Sequence, residues 1–132
     1  MKKLFLNIFL LVILAFAIAC SKSINSSSSP LKGQWELRHA YGGILGFDSV
    51  YAAGNGNTIL FTQNDFSKFK DQQLTESGFY SLHTENGLQT INFKETDSQY
   101  SSGYKILNDA LYLDVNALAY DGIAKMYVKI SE

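Results

Sequence analysis

Hydrophobic and polar side chains alternate along most of the chain beyond residue 30. In the segment 33–41, Trp35, Leu37, His39 and Tyr41 fall on one face, and polar residues occupy most of the positions between them. A period of two predicts a β-strand with one buried face and one solvent-facing side. We therefore expect these four side chains to share the buried face of a first strand.

Seven further segments have strand-like character, and short turns separate most of them. They span 58–62, 66–70, 77–84, 88–94, 100–107, 110–115 and 123–130. Asn, Asp and Gly, which favour turns, occur at 64–65, 85–87, 108–109 and 121–122. Consecutive strands joined by short turns pair antiparallel, so the sequence predicts an all-β fold, an eight-stranded antiparallel up-and-down barrel. Residues 117–120 fit a helical turn or a strand equally well.

The connection from 42 to 56 is unusually long for such a fold. It is rich in glycine but also carries apolar side chains, namely Ile44, Leu45, Phe47, Val50 and Tyr51. Connections longer than about 12 residues are uncommon in compact domains unless they have a function. We predict that this segment is a loop, with Phe47 and Tyr51 closing one mouth of the barrel.

The first nineteen residues have the pattern of a secretory signal rather than of a folded domain. Lys2 and Lys3 precede the segment 4–19, in which only Asn7 is polar. A charged n-region followed by an apolar h-region is typical of a cleaved signal peptide. The apolar run falls just short of the roughly 17 residues that can span a bilayer. An uncleaved membrane anchor is the alternative.

The end of this segment, Ala17-Ile18-Ala19-Cys20, resembles the lipobox at which signal peptidase II cleaves lipoprotein precursors. The resemblance implies that residues 1–19 are removed and that Cys20 is acylated, with palmitate among the acyl groups, and so attached to a membrane. Ser21 and Lys22 follow, and neither resembles an acidic inner-membrane retention signal. We therefore expect the bacterial outer membrane, on either face. In an uncleaved anchor, Cys20 would be a free thiol.

Residues 20–30 are rich in serine and contain the single proline of the chain. Such a composition buries little apolar surface and behaves as a flexible tether. At about 5–6 Å times the square root of its length, the tether reaches roughly 15–20 Å. The sequence thus predicts a signal peptide at 1–19, a lipidated tether at 20–30 and a folded domain at 31–132.

Composition and motif content exclude several classes of function. Eleven basic and twelve acidic residues give a net charge of −1, so nucleic acid is not an expected partner. The single cysteine cannot form an internal disulfide or a Cys-based zinc site. His39 and His83 lie far apart in the sequence, and we expect no metal and no cofactor. Asp109 and Asp121 fall in predicted turns, and no Gly-x-Ser-x-Gly motif is present, so we expect no catalysis.

Gly33-Gln34-Trp35 on the first predicted strand matches the Gly-x-Trp with which lipocalins and related barrels begin. The segments 57–62, 76–80, 120–122 and 127–130 are likewise similar to the small lipocalin-like domain of bacterial envelope lipoproteins. The resemblance covers nearly all of 31–131. It implies that Lys129, on the last strand, is the basic residue that packs over Trp35, and that the barrel binds a small ligand. Independently of the resemblance, Trp35 is expected to be a structural plug, because it buries a large apolar area.

Two functional hypotheses remain. In the first, the barrel binds a small apolar or aromatic molecule. The predicted lining residues come from the alternating pattern and, for Phe47 and Tyr51, from the long loop. They are Leu37, Phe47, Tyr51, Phe61, Phe79, Phe93, Tyr104 and Leu113. In the second, these residues fill the barrel, and the protein is an inhibitor or accessory subunit of an envelope assembly. A cavity favours the first hypothesis, and an exposed apolar patch on the long loop favours the second.

Overall fold

The structure, a computed structural model, describes residues 28–115 and 121–132. The predicted signal peptide, Cys20 and most of the predicted tether lie outside the described residues, as does the predicted helical turn at 117–120. The part of the chain that is described contains no helix long and apolar enough to cross a membrane.

The described residues form one antiparallel sheet of nine strands. These are β1 (Gly33–Gly42), β2 (Phe47–Val50), β3 (Thr58–Phe61), β4 (Asp65–Lys70), β5 (Gln73–Glu85), β6 (Leu88–Lys94), β7 (Gln99–Leu107), β8 (Ala110–Leu113) and β9 (Ile123–Ser131). Strands β3 to β9 follow one another in order, and β9 returns to pair with β1. β1 and β3 to β9 therefore make a closed eight-stranded antiparallel barrel, which confirms the predicted fold class.

The additional strand, β2, lies inside the segment that the sequence predicted as a loop. It pairs with the second half of β1, so that Phe47 lies opposite Gly42 and Val50 opposite His39. Gly43 and Gly46 both have positive φ, which glycine adopts without steric cost, and this permits the short connection. The prediction of one loop from 42 to 56 is therefore wrong. The segment is a β1–β2 hairpin followed by a shorter loop, 51–57.

A β-bulge in β1 changes which of its side chains face the interior. Leu37 pairs with Tyr127 of β9 and His39 pairs with the next residue along, Met126, so Arg38 is an extra residue on β1. A bulge of one residue reverses the alternation beyond it. Ala40 is consequently buried, while His39 and Tyr41 are half-buried. The predicted inward orientation of His39 and Tyr41 is wrong for this reason.

The turn between β4 and β5 is tighter than the sequence indicated. Asp71 and Gln72 both have positive φ, at 50° and 67°, so β5 begins at Gln73 rather than at residue 77. Two successive residues with positive φ are the requirement of a two-residue hairpin turn, for which Asn-Gly or Asp-Gly is the usual signal. Asp71-Gln72 lacks glycine, and the sequence pattern therefore did not show it.

Candidate functional site

One end of the barrel is closed by the tryptophan that the sequence predicted as a plug. Trp35 is almost fully buried, and its indole N–H donates a hydrogen bond of 2.7 Å to the carbonyl oxygen of Leu31, which lies beneath it. The Lys129 ammonium is 5.8 Å from the ring centroid of Trp35, which confirms the predicted contact. Gly33 is required here, because a Cβ atom at this position would lie 2.5 Å from the backbone oxygen of Ser131.

Aromatic side chains fill the interior next to this plug. Phe61 packs edge-on against Tyr80 at a centroid distance of 5.0 Å, and Phe66 packs edge-on against Phe93 at 4.8 Å. The Tyr80 hydroxyl donates to the Thr62 carbonyl at 2.9 Å and accepts from the Ser29 hydroxyl at 2.5 Å. Ser29 therefore ties the start of the described chain to this end of the barrel, which we call the closed end.

The opposite end, where β3 begins and β4 ends, contains a cavity of about 430 Å³. Its apolar wall consists of Leu37, Ile59 and Phe69. Its polar wall consists of Tyr51, Asn57, Thr58, Lys68, Lys70, Asp71, Thr75, Lys125 and Tyr127. Small-molecule sites are commonly about 300–1,000 Å³ in volume and combine apolar walls with a few placed polar groups. The volume and the mixed lining both fit such a site, and we call this end the open end.

A charged cluster on the inner face of the barrel lies at this cavity. The Lys68 ammonium donates to the Glu76 carboxylate at 2.7 Å and also to the Tyr100 hydroxyl. The Tyr100 hydroxyl donates in turn to the same carboxylate oxygen of Glu76, at 2.8 Å. The Lys68 ammonium also lies 4.8 Å from the ring centroids of both Phe93 and Tyr100. The cluster is thus a closed triangle of hydrogen bonds resting on aromatic faces.

The cluster changes the ionisation of its members. Burial raises the pKa of the Glu76 carboxyl, but hydrogen bonds from Lys68 and Tyr100 and the positive charge of Lys68 outweigh burial, and the net pKa is lowered. Burial raises the pKa of the Tyr100 phenol, and its hydrogen bond to the Glu76 carboxylate raises it further. Around neutral pH, Glu76 is therefore ionised and Tyr100 is a neutral donor.

Strand β9 contributes the facing side of the cavity. Tyr127 and Lys125 are two residues apart on β9, so both point inward, opposite Leu37 and Ala40 of β1. Lys125 lies 3.9 Å from the Asp114 carboxylate. Tyr127 is only 8% exposed, and its hydroxyl forms no hydrogen bond with any described residue. Burial, followed by the charges of Asp114 and Glu76, raises the pKa of this phenol, which is therefore neutral.

The loop 51–57 borders the cavity and is fixed against β1. The Tyr51 amide donates to the Arg38 carbonyl at 2.9 Å, and the Leu37 amide donates to the Asn57 carbonyl at 2.9 Å. The Asn55 side chain also donates to the Leu37 carbonyl at 2.9 Å. These bonds place the Tyr51 ring against the core and at the cavity.

The eight predicted lining residues divide into three groups. Two of them, Leu37 and Tyr51, line the cavity. Four are packed into the buried core: Phe61, Phe93, Tyr104 and Leu113. The other two, Phe47 and Phe79, lie outside both the cavity and the core.

The predicted inward positions of Phe79 and Phe47 are therefore wrong. Phe79 is 64% exposed, because the neighbouring Tyr80 takes the inward position opposite Phe93. Phe47 is 42% exposed, because it belongs to β2 and does not cover the mouth of the barrel.

The sequence interpretation missed the polar members of the site, Lys68, Glu76, Lys125 and Tyr127. Two of them could have been found from spacing, because Lys68 is two residues from the inward Phe66 and Lys125 is two residues from Tyr127. A charged residue in phase with buried aromatic residues indicates a polar group inside a barrel. Glu76 is in phase with Tyr80 on β5, and it was missed because Phe79 rather than Tyr80 was predicted to face inward.

The tip of the β1–β2 hairpin forms a separate exposed apolar surface. Ile44 is 80% exposed and Leu45 is 98% exposed, and Val50 on the hairpin is also largely exposed. Contiguous apolar residues on a surface often mark contact sites for other molecules. We call Ile44, Leu45, Phe47 and Val50 the hairpin patch.

Within the described ranges, no group of three or more His, Cys, Asp and Glu residues is arranged to hold a metal ion. His39 instead forms a pair with Asp48 of the hairpin, at 2.5 Å between the ring Nε2 and the carboxylate.

Comparisons with known proteins give no relative from which the cavity could be interpreted. No protein-family model matches the chain, and neither a curated protein nor a solved structure matches it. The function of the cavity must therefore be argued from its own residues.

Proposed function

We propose that this protein is a non-catalytic envelope lipoprotein of the lipocalin-like type that binds one small molecule at the open end of its barrel. The observation that carries the proposal is the cavity of about 430 Å³, which has apolar side chains on β1, β3 and β4 and polar groups that include Lys68 of β4 and Tyr127 of β9. The ligand has an apolar or aromatic body, which rests against Leu37 and Ile59. No cofactor and no nucleic acid takes part.

The proposed attachment to the membrane agrees with the direction in which the chain leaves the barrel. Ser29 and Leu31 lie at the closed end, bonded to Tyr80 and Trp35, respectively. A lipid on Cys20 would therefore be connected to the domain at its closed end, through the flexible tether. The attachment point would then lie opposite the cavity and leave the cavity accessible to a dissolved ligand.

A substitution that fills the cavity tests the proposal. Thr75 lines the cavity from an exposed position on β5, so Thr75→Trp adds a large side chain at the rim without disturbing the core. Ser77→Trp is the matched control, because Ser77 is an exposed residue of the same strand and does not line the cavity. The readout is native mass spectrometry of the full chain, released from detergent after incubation with an envelope extract.

A small-molecule mass is expected on the unsubstituted chain and on Ser77→Trp, and it should be absent from Thr75→Trp. If all three chains carry the same mass, the cavity is not where the molecule binds. If none carries a small molecule, the proposal of a ligand-binding barrel fails.

The hairpin patch favours a second candidate function, contact with a protein partner. Residues 39–57 contain neither Lys nor Arg, and an anionic lipid surface is recognised mainly by such residues. A protein surface is therefore the better match for Ile44 and Leu45. A photo-crosslinker at Leu45 should give one discrete protein adduct in the envelope, and the same crosslinker at Leu107, an exposed apolar residue outside the hairpin, should not. Equal labelling from both positions would count against this candidate.

A further inference from the structure

The hydroxyl of Tyr127 is the feature of the cavity that the rest of the protein leaves unexplained. The side chain is more than nine-tenths buried and lines the cavity, yet its hydroxyl bonds to no described residue. Among the described residues, the fully buried side-chain atom without a partner is Arg38 Nε, so the Tyr127 oxygen is not sealed in the core but can be reached from the cavity. A molecule in the cavity can therefore supply its hydrogen-bond partner.

Two lysines on the inner face near this hydroxyl already have carboxylate partners within the protein. The Lys68 ammonium is paired with Glu76 at 2.7 Å, and the Lys125 ammonium faces Asp114 at 3.9 Å. At the rim, the exposed Lys70 forms no ion pair with a described residue, and an exposed pair with a ligand would contribute little. Deeper in the cavity, an added carboxylate would meet Glu76 and Asp114, whose lysine partners are already paired, and an added ammonium would meet Lys68 and Lys125. A charged group that enters without a partner loses its hydration and gains little in return.

We infer that the ligand of this cavity is an uncharged molecule whose carbonyl or hydroxyl oxygen hydrogen-bonds to the Tyr127 hydroxyl, while its apolar body packs against Leu37 and Ile59. The inference rests on the proposed function and specifies the chemical class of its ligand. The phenol of Tyr127 is neutral at physiological pH and can both donate and accept a hydrogen bond.

A series of naphthalene probes separates the charge classes at constant shape. The probes are 2-naphthol, which is uncharged at pH 7, 2-naphthoate, 2-naphthylmethylammonium and naphthalene itself. Binding is measured by equilibrium dialysis with the full chain in lipid nanodiscs. The amount of probe retained by Thr75→Trp in identical nanodiscs measures partitioning into lipid, and this amount is subtracted. We expect 2-naphthol to bind at least about 10-fold more tightly than either charged probe.

Tyr127→Phe then tests the role of the hydroxyl. We expect the affinity for 2-naphthol to fall about 3- to 10-fold, while the affinity for naphthalene stays unchanged. Tyr112→Phe is the matched control, because Tyr112 lies on the neighbouring strand β8 and its ring contacts Lys105 rather than the cavity. Since the Tyr127 hydroxyl has no partner in the protein, Tyr127→Phe should also keep the melting temperature.

The outcomes distinguish the inference from the proposed function. If a charged probe binds as tightly as 2-naphthol, or if Tyr127→Phe weakens naphthalene as much as 2-naphthol, the inference is overturned and the binding cavity stands. If the unsubstituted chain retains none of the four probes better than Thr75→Trp does, the proposed function fails and the inference fails with it.

Discussion

The two ends of this barrel are built from the same strands but are filled in different ways. At the closed end, Trp35, Phe61 and Tyr80 occupy the interior, and the polar atoms of Trp35 and Tyr80 bond to the backbone. At the open end, Lys68 and Glu76 take inward positions, and Tyr127 lacks a partner within the described chain. A packed end that satisfies all its polar groups supplies stability. An end that retains both space and an unused hydrogen bond has the properties of a binding site.

The largest expected effect is at the closed end. Trp35→Ala removes a buried indole, and we expect a loss of about 3–5 kcal/mol in the free energy of unfolding, measured with urea. Phe79→Ala is the matched control, because Phe79 is an exposed aromatic side chain, and its loss should be below about 1 kcal/mol. Where Trp35→Ala does not fold, Trp35→Phe keeps a smaller aromatic ring and removes the hydrogen bond to Leu31. Equal losses at residues 35 and 79 would contradict the assigned plug.

The second largest expected effect is a loss of stability at alkaline pH, and it concerns the open end. Burial raises the pKa of Tyr127, so the folded state keeps a proton that the unfolded chain releases above about pH 10. The stability from this group is present below pH 10 and then falls by about 1.4 kcal/mol per pH unit. Tyr127→Phe should flatten this decline and Tyr112→Phe should not. Identical alkaline profiles for the two variants would show that Tyr127 is not kept neutral by the fold.

A smaller effect is expected from the charged cluster. Lys68→Met keeps the apolar stem and removes the ammonium, and because both partners are partly exposed we expect a loss of only about 1 kcal/mol at pH 7. Since the folded-state pKa of Glu76 is lowered, the stability from its ionised form is present above the ordinary carboxyl pKa and is lost as the pH falls through the folded value. The difference in the free energy of unfolding between Lys68→Met and the unsubstituted chain should therefore decrease at acidic pH.

Lys105→Met is the control for this experiment, because the Lys105 ammonium lies 5.2 Å from the ring of Tyr112, outside the barrel. It should change stability less than Lys68→Met does, and by the same amount at each pH. A difference between Lys68→Met and the unsubstituted chain that persists below pH 3 would argue against the ionised Glu76 as its source.

The smallest expected effect lies outside both ends, on the hairpin patch. Leu45→Ser should change the free energy of unfolding by less than about 0.5 kcal/mol, because the side chain is almost fully exposed. Chemical denaturation measures this directly. A larger loss would show that Leu45 packs within the fold and would remove the patch as a contact surface.

The closed end could largely be predicted from the sequence, and the open end could not. Trp35 was predicted as a plug because an indole buries a large apolar area, and Lys129 was assigned as its neighbour from the resemblance to lipocalins. The open end depends on two bulges, at Arg38 and near Phe69, and a single extra residue leaves no mark in an alternating pattern. Phe79 and Tyr80 are adjacent aromatic residues, so the alternating pattern alone does not show which of the two faces the interior.

The pairing of β1 with β9 determines when the barrel can form. Gln34 lies opposite Ser131, so the two strands that close the sheet are far apart in the sequence. Contacts of this kind form slowly, because the ends of a long intervening segment must be brought together first. Until β9 has been synthesised and docked, one edge of β1 has no partner and can pair with another chain. Closure is therefore a late step of folding, and a chaperone that covers the free edge of β1 would protect the nascent domain during that interval.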